Sequence, residues 1–135
     1  MKPRVFIPQE PTKFDHDTGQ RLRSIDLSPA AEYGELVFIT PTGERMPLDT
    51  RGTVEYIAQA MEDFGPEDYL VPVGHPALIA ICAVEAVRAS GSRLKMLIWN
   101  NRDARYTPMT LDFTPIGGTH GPSKEATRTG TRPSL

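Results

Sequence analysis

The stretch "YLVPVGHPALIAICAVEAV", Tyr69 to Val87, constrains the fold more than any other part of the chain. It reads as an apolar strand, a tight turn at Gly74-His75-Pro76, and a helix from Pro76 to about Ala89 that is apolar on nearly every side, with only Glu85 and Arg88 breaking it. Such a helix must be covered on most of its surface. It is too short for the roughly 20 residues a bilayer span needs, so protein must cover it. That means a sheet on one face, and the N-terminal segment or a second subunit on another.

The neighbouring segments supply the sheet. "ELVFITP" (35–41) is a continuous run of β-branched and aromatic residues that fits a strand buried on both faces. In "TVEYIAQAMEDFG", Val54, Ile57, Ala58, Met61 and Phe64 recur at helical spacing. Thr50 or Thr53 is a candidate cap, and Gly65-Pro66 stops the helix. "DYLVPVG" is a second buried strand, although Pro72 cannot donate to a ladder and calls for a bulge or one-sided pairing. "RLKMLIW" (93–99) is a third. After the turn "NNRDAR", "YTPMTLDF" (106–113) alternates and returns antiparallel at an edge.

The order strand–helix–strand–helix–strand predicts an α/β fold. It has a small, mainly parallel β-α-β-α-β sheet, right-handed crossovers and an antiparallel C-terminal edge hairpin. The segments 35–41 and 69–73 should lie side by side or one strand apart in a common sheet.

The first 34 residues read as an irregular, strand-like segment. "RVFIP" ends in a proline and suits an edge strand. Asp17-Thr18-Gly19 marks a turn between short extended pieces, and "SPAAEYG" offers one helical turn with Ser28 as cap and Pro29 inside it. From Thr114 the composition shifts to Gly, Pro, Thr and charge, which cannot offset its own ordering entropy. One α/β domain over 1–113 (segment 1–34, core 35–113) and a flexible tail over 114–135 follow.

Composition bounds function. The formal charge of −2 gives no general attraction to nucleic acid or an anionic membrane. The one cysteine, Cys82, lies inside the apolar helix, where an inert buried thiol is expected. The N-terminus "MKPRVFIPQEP" has no apolar signal-peptide core. A soluble protein of a reducing cytoplasm is expected.

In parallel sheets ligands gather beyond the carboxyl ends of the strands. The polar residues there include Thr42, Arg45, Arg51, Gly74, His75 and Asn100, the candidates for holding a phosphate or nucleotide. On that reading an arginine pairs the anion and His75 acts as general acid or base. The competing reading is structural: Gly74 makes the bend, Pro76 pre-sets the first helical φ, and His75 sits at the N-cap. No G-x-G-x-x-G or G-x-x-x-x-G-K-[ST] loop and no G-x-S-x-G elbow is present, so no catalytic residue is assigned. "DHD" (15–17) uses metal-ligand residue types, but alternation puts His16 opposite the two carboxylates, and a solvated turn fits better. No metal and no cofactor is assigned. Lys95, Trp99, Arg102 and Arg105 crowd the last hairpin and are candidates for stacking on and pairing with a nucleic acid, or for the wet face of an edge hairpin.

The strings "GELVFITP", "EDYLVPVGHPALIAICA" and "RLKMLIWNNRDARYTPMTLDF" resemble small proteins of tailed bacteriophages across residues 1–113. The resemblance implies no activity and no catalytic residue. It implies a virus-encoded protein acting in the cytoplasm of an infected bacterium or packaged in the particle. With catalytic motifs missing, the expectation is a non-catalytic interaction or accessory protein. It would dock on a host or viral protein or self-assemble, without a membrane. A small nucleotide- or phosphate-binding enzyme and a nucleic-acid binder are the alternatives.

Overall fold

The computed structural model describes residues 2–23, 25–40 and 49–115. Among the described residues seven strands form: β1 (Arg4–Gln9), β2 (Thr12–Asp15), β3 (Gln20–Arg23), β4 (Glu35–Thr40), β5 (Tyr69–Leu70), β6 (Arg93–Asn100) and β7 (Arg105–Asp112). Two helices, α1 (Thr50–Ala60) and α2 (Pro76–Ser90), and a 3₁₀ segment, η1 (Ser28–Tyr33), complete the fold. Five strands make one sheet in the order β4-β1-β5-β6-β7, parallel except for β7, while β2 and β3 form a separate two-stranded hairpin. The expected α/β class, the parallel β4-α1-β5-α2-β6 core and the antiparallel edge strand are all present. β4 and β5 lie one strand apart, with β1 between them.

Two expectations are corrected. Arg4–Pro8 is a central strand, not an edge, with Val5, Phe6, Ile7 and Pro8 all buried. Pro8 is tolerated because of where its missing donor falls. Val71 N–H donates to Phe6 O (2.9 Å), so alternate residues of β1 turn toward β5, and Pro8 lies beyond the last paired residue of that short strand. Conversely, Glu35–Thr40 is an edge strand paired only with β1 among the described residues. Pro72 ends its strand: β5 is two residues long, and Val73 N–H folds back to Val71 O (2.8 Å) across the proline.

The sheet carries a core on each face. On one side Phe6, Ile39, Leu70 and Leu94 pack against Ile57 and Met61 of the α1 segment and Leu78, Cys82 and Ala86 of α2. On the other, Val5, Ile7, Val71, Leu97 and Tyr106 pack against Leu27 and Ala30 at η1. α2 buries Leu78, Cys82 and Ala86 and leaves Pro76, Ala80, Val84 and Arg88 outward, so part of its apolar surface stays open among the described residues. No helix among the described residues is long and apolar enough to cross a membrane.

Local capping differs from the expected pattern at two points. Asp49, not Thr50 or Thr53, caps α1, its carboxylate accepting from Gly52 N–H (3.0 Å). Ahead of η1 the Asp26 carboxylate accepts from the backbone and hydroxyl of Ser28 (3.0 and 2.6 Å). At the amino end of the sheet, Asp68 is buried and holds Arg4. Its carboxylate accepts from Arg4 N–H (2.9 Å), the Arg4 guanidinium (3.0 Å) and Gly65 N–H (2.8 Å). Burial works against the charge on Arg4, yet its bonds to Asp68 and Asp63 hold its pKa above the ordinary value.

Candidate functional site

The carboxyl ends of β4, β1, β5 and β6 gather along one rim, as the parallel strands require. Gly74 has φ +116°, a conformation that side-chain-bearing residues rarely adopt. A Cβ on it would lie 2.6 Å from Gln9 Cβ and 3.0 Å from Gln9 O. The loop after β5 therefore rests directly on the end of β1. Gln9 answers across that contact, its Oε1 accepting from His75 N–H (2.9 Å). His75 is the N-cap of α2, and its Nδ1 accepts from Ala77 N–H (3.0 Å). Pro76 has no N–H to offer, so the start of the helix is occupied largely by the chain's own acceptors.

This arrangement defines the chemistry open to His75. A ring nitrogen that accepts at Nδ1 carries its proton at Nε2 in the neutral form. The exposed imidazole then offers solvent a donor, whereas a general base needs a free lone pair.

Of the other rim candidates, Arg51 and Asn100 fall among the described residues. Thr42 and Arg45 lie outside the described residues. Arg51 points into solvent from the first turn of α1 and sits 3.9 Å from Glu55 one turn on, a pairing worth little at an exposed site. Asn100 is a turn residue: its side-chain oxygen accepts from the N–H groups of Arg102 (3.0 Å) and Asp103 (3.3 Å). The structure thus joins Gly74 and His75 to Gln9, a partner that sequence reading missed. Placing Arg4–Pro8 at an edge left Gln9 in a loop, with nothing to tie it to a turn 66 residues away.

The basic hairpin divides between two faces. Lys95 and Trp99 share the η1 side of β6 with buried Leu97, while Arg105, opposite Asn100, belongs to the helix side and Arg102 to the turn. Lys95 Nζ lies 4.4 Å from the centre of the Tyr69 ring. Trp99 meets Tyr106 edge-on at 5.0 Å and donates from Nε1 to Asn101 (2.7 Å). A shallow cavity of ≈ 310 Å³ opens beside these rings, lined by Ile25, Asp26, Val73, Trp99 and Tyr106. Burial raises the Tyr106 phenol above its ordinary pKa, with the charge of Asp26 adding to it. Cys82 is buried, and desolvation pushes its thiol up to about 12.

The β2–β3 hairpin stands apart from both cores. Its turn is built by Asp15, whose carboxylate accepts from Asp17 N–H (3.0 Å) and the Thr18 hydroxyl (2.9 Å). This is an Asx-type turn in the "DHD" stretch. Phe14 is 50% exposed, Leu22 48% and Ile25, just past the hairpin, 41%. Phe14 and Leu22 belong to opposite faces of the ribbon, since Phe14 pairs with Arg21 and Leu22 with Lys13. Phe14 has the edge of His16 against it at 4.9 Å. Two strands alone are marginal in water, and these carry apolar side chains on both faces.

Neither the curated proteins nor the solved structures provide a match. A family model does, over residues 3–113, which takes in every strand and helix described above. The chain belongs to the family of phage Pam3 gp32-like proteins.

Proposed function

We propose that this phage protein is a non-catalytic accessory module that works by docking on another protein, viral or host, through the β2–β3 hairpin. The observation that carries the reading is the uncovered ribbon: Phe14 and Leu22, on its two faces, hold their apolar surface in water on an element attached to neither core, with exposed Ile25 just past it. Exposed apolar groups clustered on one projecting element mark interaction sites more often than scattered ones do. Phe14 is the aromatic anchor such an interface would use. The closed junction at Gly74 and the capping duty of His75 support the same reading, because the rim's best-placed polar groups already serve the fold.

The test is site-specific photo-crosslinking in infected cells, with the crosslinker at position 14 or, as a control, at the equally exposed Val84 of α2. A discrete adduct with one viral or host protein at position 14, lost when Leu22→Ser is added, is the expected result. The same adducts at both positions, or none at position 14, would overturn the proposal.

A further inference from the structure

The two edges of the main sheet are built differently. β7 carries Pro108 in mid-strand and charged Arg105 and Asp112 at its ends, devices that discourage another strand from adding on. β4 has one charge, Glu35 at its first position, and the rest of the strand, Leu36-Val37-Phe38-Ile39-Thr40, contains no proline and no charge. Its hydrogen-bonding direction is known. Glu35 N–H donates to Pro3 O (3.2 Å), so Glu35, Val37 and Ile39 turn toward β1. Strand alternation then leaves the N–H and C=O groups of Leu36, Phe38 and Thr40 pointing away from the sheet. Among the described residues no strand pairs with them. Exposed aromatics flank this row on both sides. Phe38, on the η1 face with Leu36, is 38% exposed; Tyr56 of α1, on the helix face, is 54% exposed and donates from its hydroxyl to Ile39 O (3.1 Å).

We propose that β4 pairs with β4 of a second copy, antiparallel across a two-fold axis at Phe38, so that two five-stranded sheets become one continuous sheet. The register follows from the geometry. A two-fold axis normal to the sheet keeps each face on its own side, so it must pass through a residue, not between two. Centred on Phe38, it pairs Phe38 with its own copy and Leu36 with Thr40 of the other chain. Every outward N–H and C=O then belongs to a hydrogen-bonded pair. Val37 meets Ile39 on the helix face. Centring on Val37 would leave both Thr40 residues outside the ladder. No charged side chain falls within the paired segment, so self-pairing meets no like-charge opposition. The exposed Phe38 and Tyr56 rings on the two flanks of the ladder add apolar surface to it. This proposal is independent of the docking role of the hairpin, which lies on another element.

The experiment uses the full chain in sedimentation velocity from low micromolar to near-millimolar concentration, with amide exchange followed by NMR. A concentration-dependent dimer is expected. In it the Leu36, Phe38 and Thr40 amides slow with concentration, while those of Val37 and Ile39 are protected throughout. Phe38→Pro removes only an outward donor, and Phe38→Lys adds a charge on the axis. Because a two-fold interface counts each change twice, either should raise the dimer Kd by about 100-fold or more. Protection of the Val5 and Ile7 amides verifies that each variant is folded. Phe14→Ser with Leu22→Ser should leave the dimer unchanged. A chain that stays monomeric throughout would overturn the proposal. So would a dimer whose Leu36, Phe38 and Thr40 amides exchange freely, or one that responds to the hairpin variant and not to the Phe38 variants.

Discussion

Gly74→Ala tests whether the turn that opens α2 is a joint of the core. Two separate costs are expected. The first is conformational: at φ +116° a side-chain-bearing residue is strained by about 1–3 kcal/mol. The second is steric. The new methyl would meet Gln9 Cβ at 2.6 Å, Gln9 O at 3.0 Å and Gln9 N at 3.2 Å. Two of these are backbone atoms of a central strand, which cannot swing aside as a flexible side chain does. Overpacking of that kind adds about 1–3 kcal/mol. Gly91→Ala isolates the first cost. Gly91 has φ +98°, yet a Cβ there would find nothing within 4 Å. Urea unfolding followed by the fluorescence of Trp99, the one tryptophan, gives both free energies. The expected loss is about 4 kcal/mol for Gly74→Ala and about 2 kcal/mol for Gly91→Ala. Thermal unfolding should follow, with the Gly74 variant melting about 10–20 °C lower. If Gly74→Ala costs no more than Gly91→Ala, the loop does not rest on β1 in solution, and the closed junction is wrong.

Three further outcomes follow from named contacts. His75→Ala should cost about 0.5–2 kcal/mol by removing the cap on Ala77 N–H, and His75→Asn should recover most of it, read by the same unfolding curves; equal losses in both would refute the capping role. Asp68→Ala leaves the Arg4 guanidinium and the N–H groups of Arg4 and Gly65 without their acceptor, for an expected loss of about 2–4 kcal/mol, whereas Lys2→Ala at the exposed start of the chain should be neutral. With its thiol pushed up to about 12, Cys82 stays protonated through neutral and mildly alkaline pH, so a thiol reagent at pH 8 should label it only as fast as the protein unfolds; labelling at the rate of a free thiol would place it at the surface.

Much of the fold was legible because the signals were redundant. α2 is announced by an unbroken apolar run between Gly74-His75-Pro76 and Gly91, and β6 and β7 by alternation around a turn rich in Asn and Asp. The misreadings share one physical cause. Side-chain patterns report what lies above and below a strand and say nothing about what lies beside it. β4 is apolar on both faces because Leu36 joins the η1 cluster while Ile39 and Val37 join the helix cluster. That run reads as an interior strand, yet its outer backbone groups are unpaired by any described strand. β1 shows the converse. Pro8 reads as an edge marker, but a missing donor matters only where a neighbour would accept it, and β5 has already ended there. The capping role of His75 was readable from Gly-His-Pro, whereas its link to Gln9 depends on a strand order that no local pattern encodes.

That strand order also places the Gly74–Gln9 contact at the point where a crevice is expected. The chain leaves β1 toward β4 over the η1 face, then returns from β4 to β5 and from β5 to β6 over the helix face. Right-handed crossovers require this: a connection travelling the opposite way across the sheet must run over the opposite face. β1 and β5 are therefore the adjacent strands whose following segments part to different sides, the arrangement that opens a ligand crevice in doubly wound sheets. In this protein the same gap is bridged within the chain. Gly74 lies against the backbone of Gln9, and Gln9 Oε1 takes the N–H of His75 that would otherwise face an incoming anion. A residue larger than glycine at 74, or one without the side-chain amide at 9, would be needed to hold the two strand ends apart. The topology supplies the place for a pocket, and these two residues use it to lock the helix to the central strand.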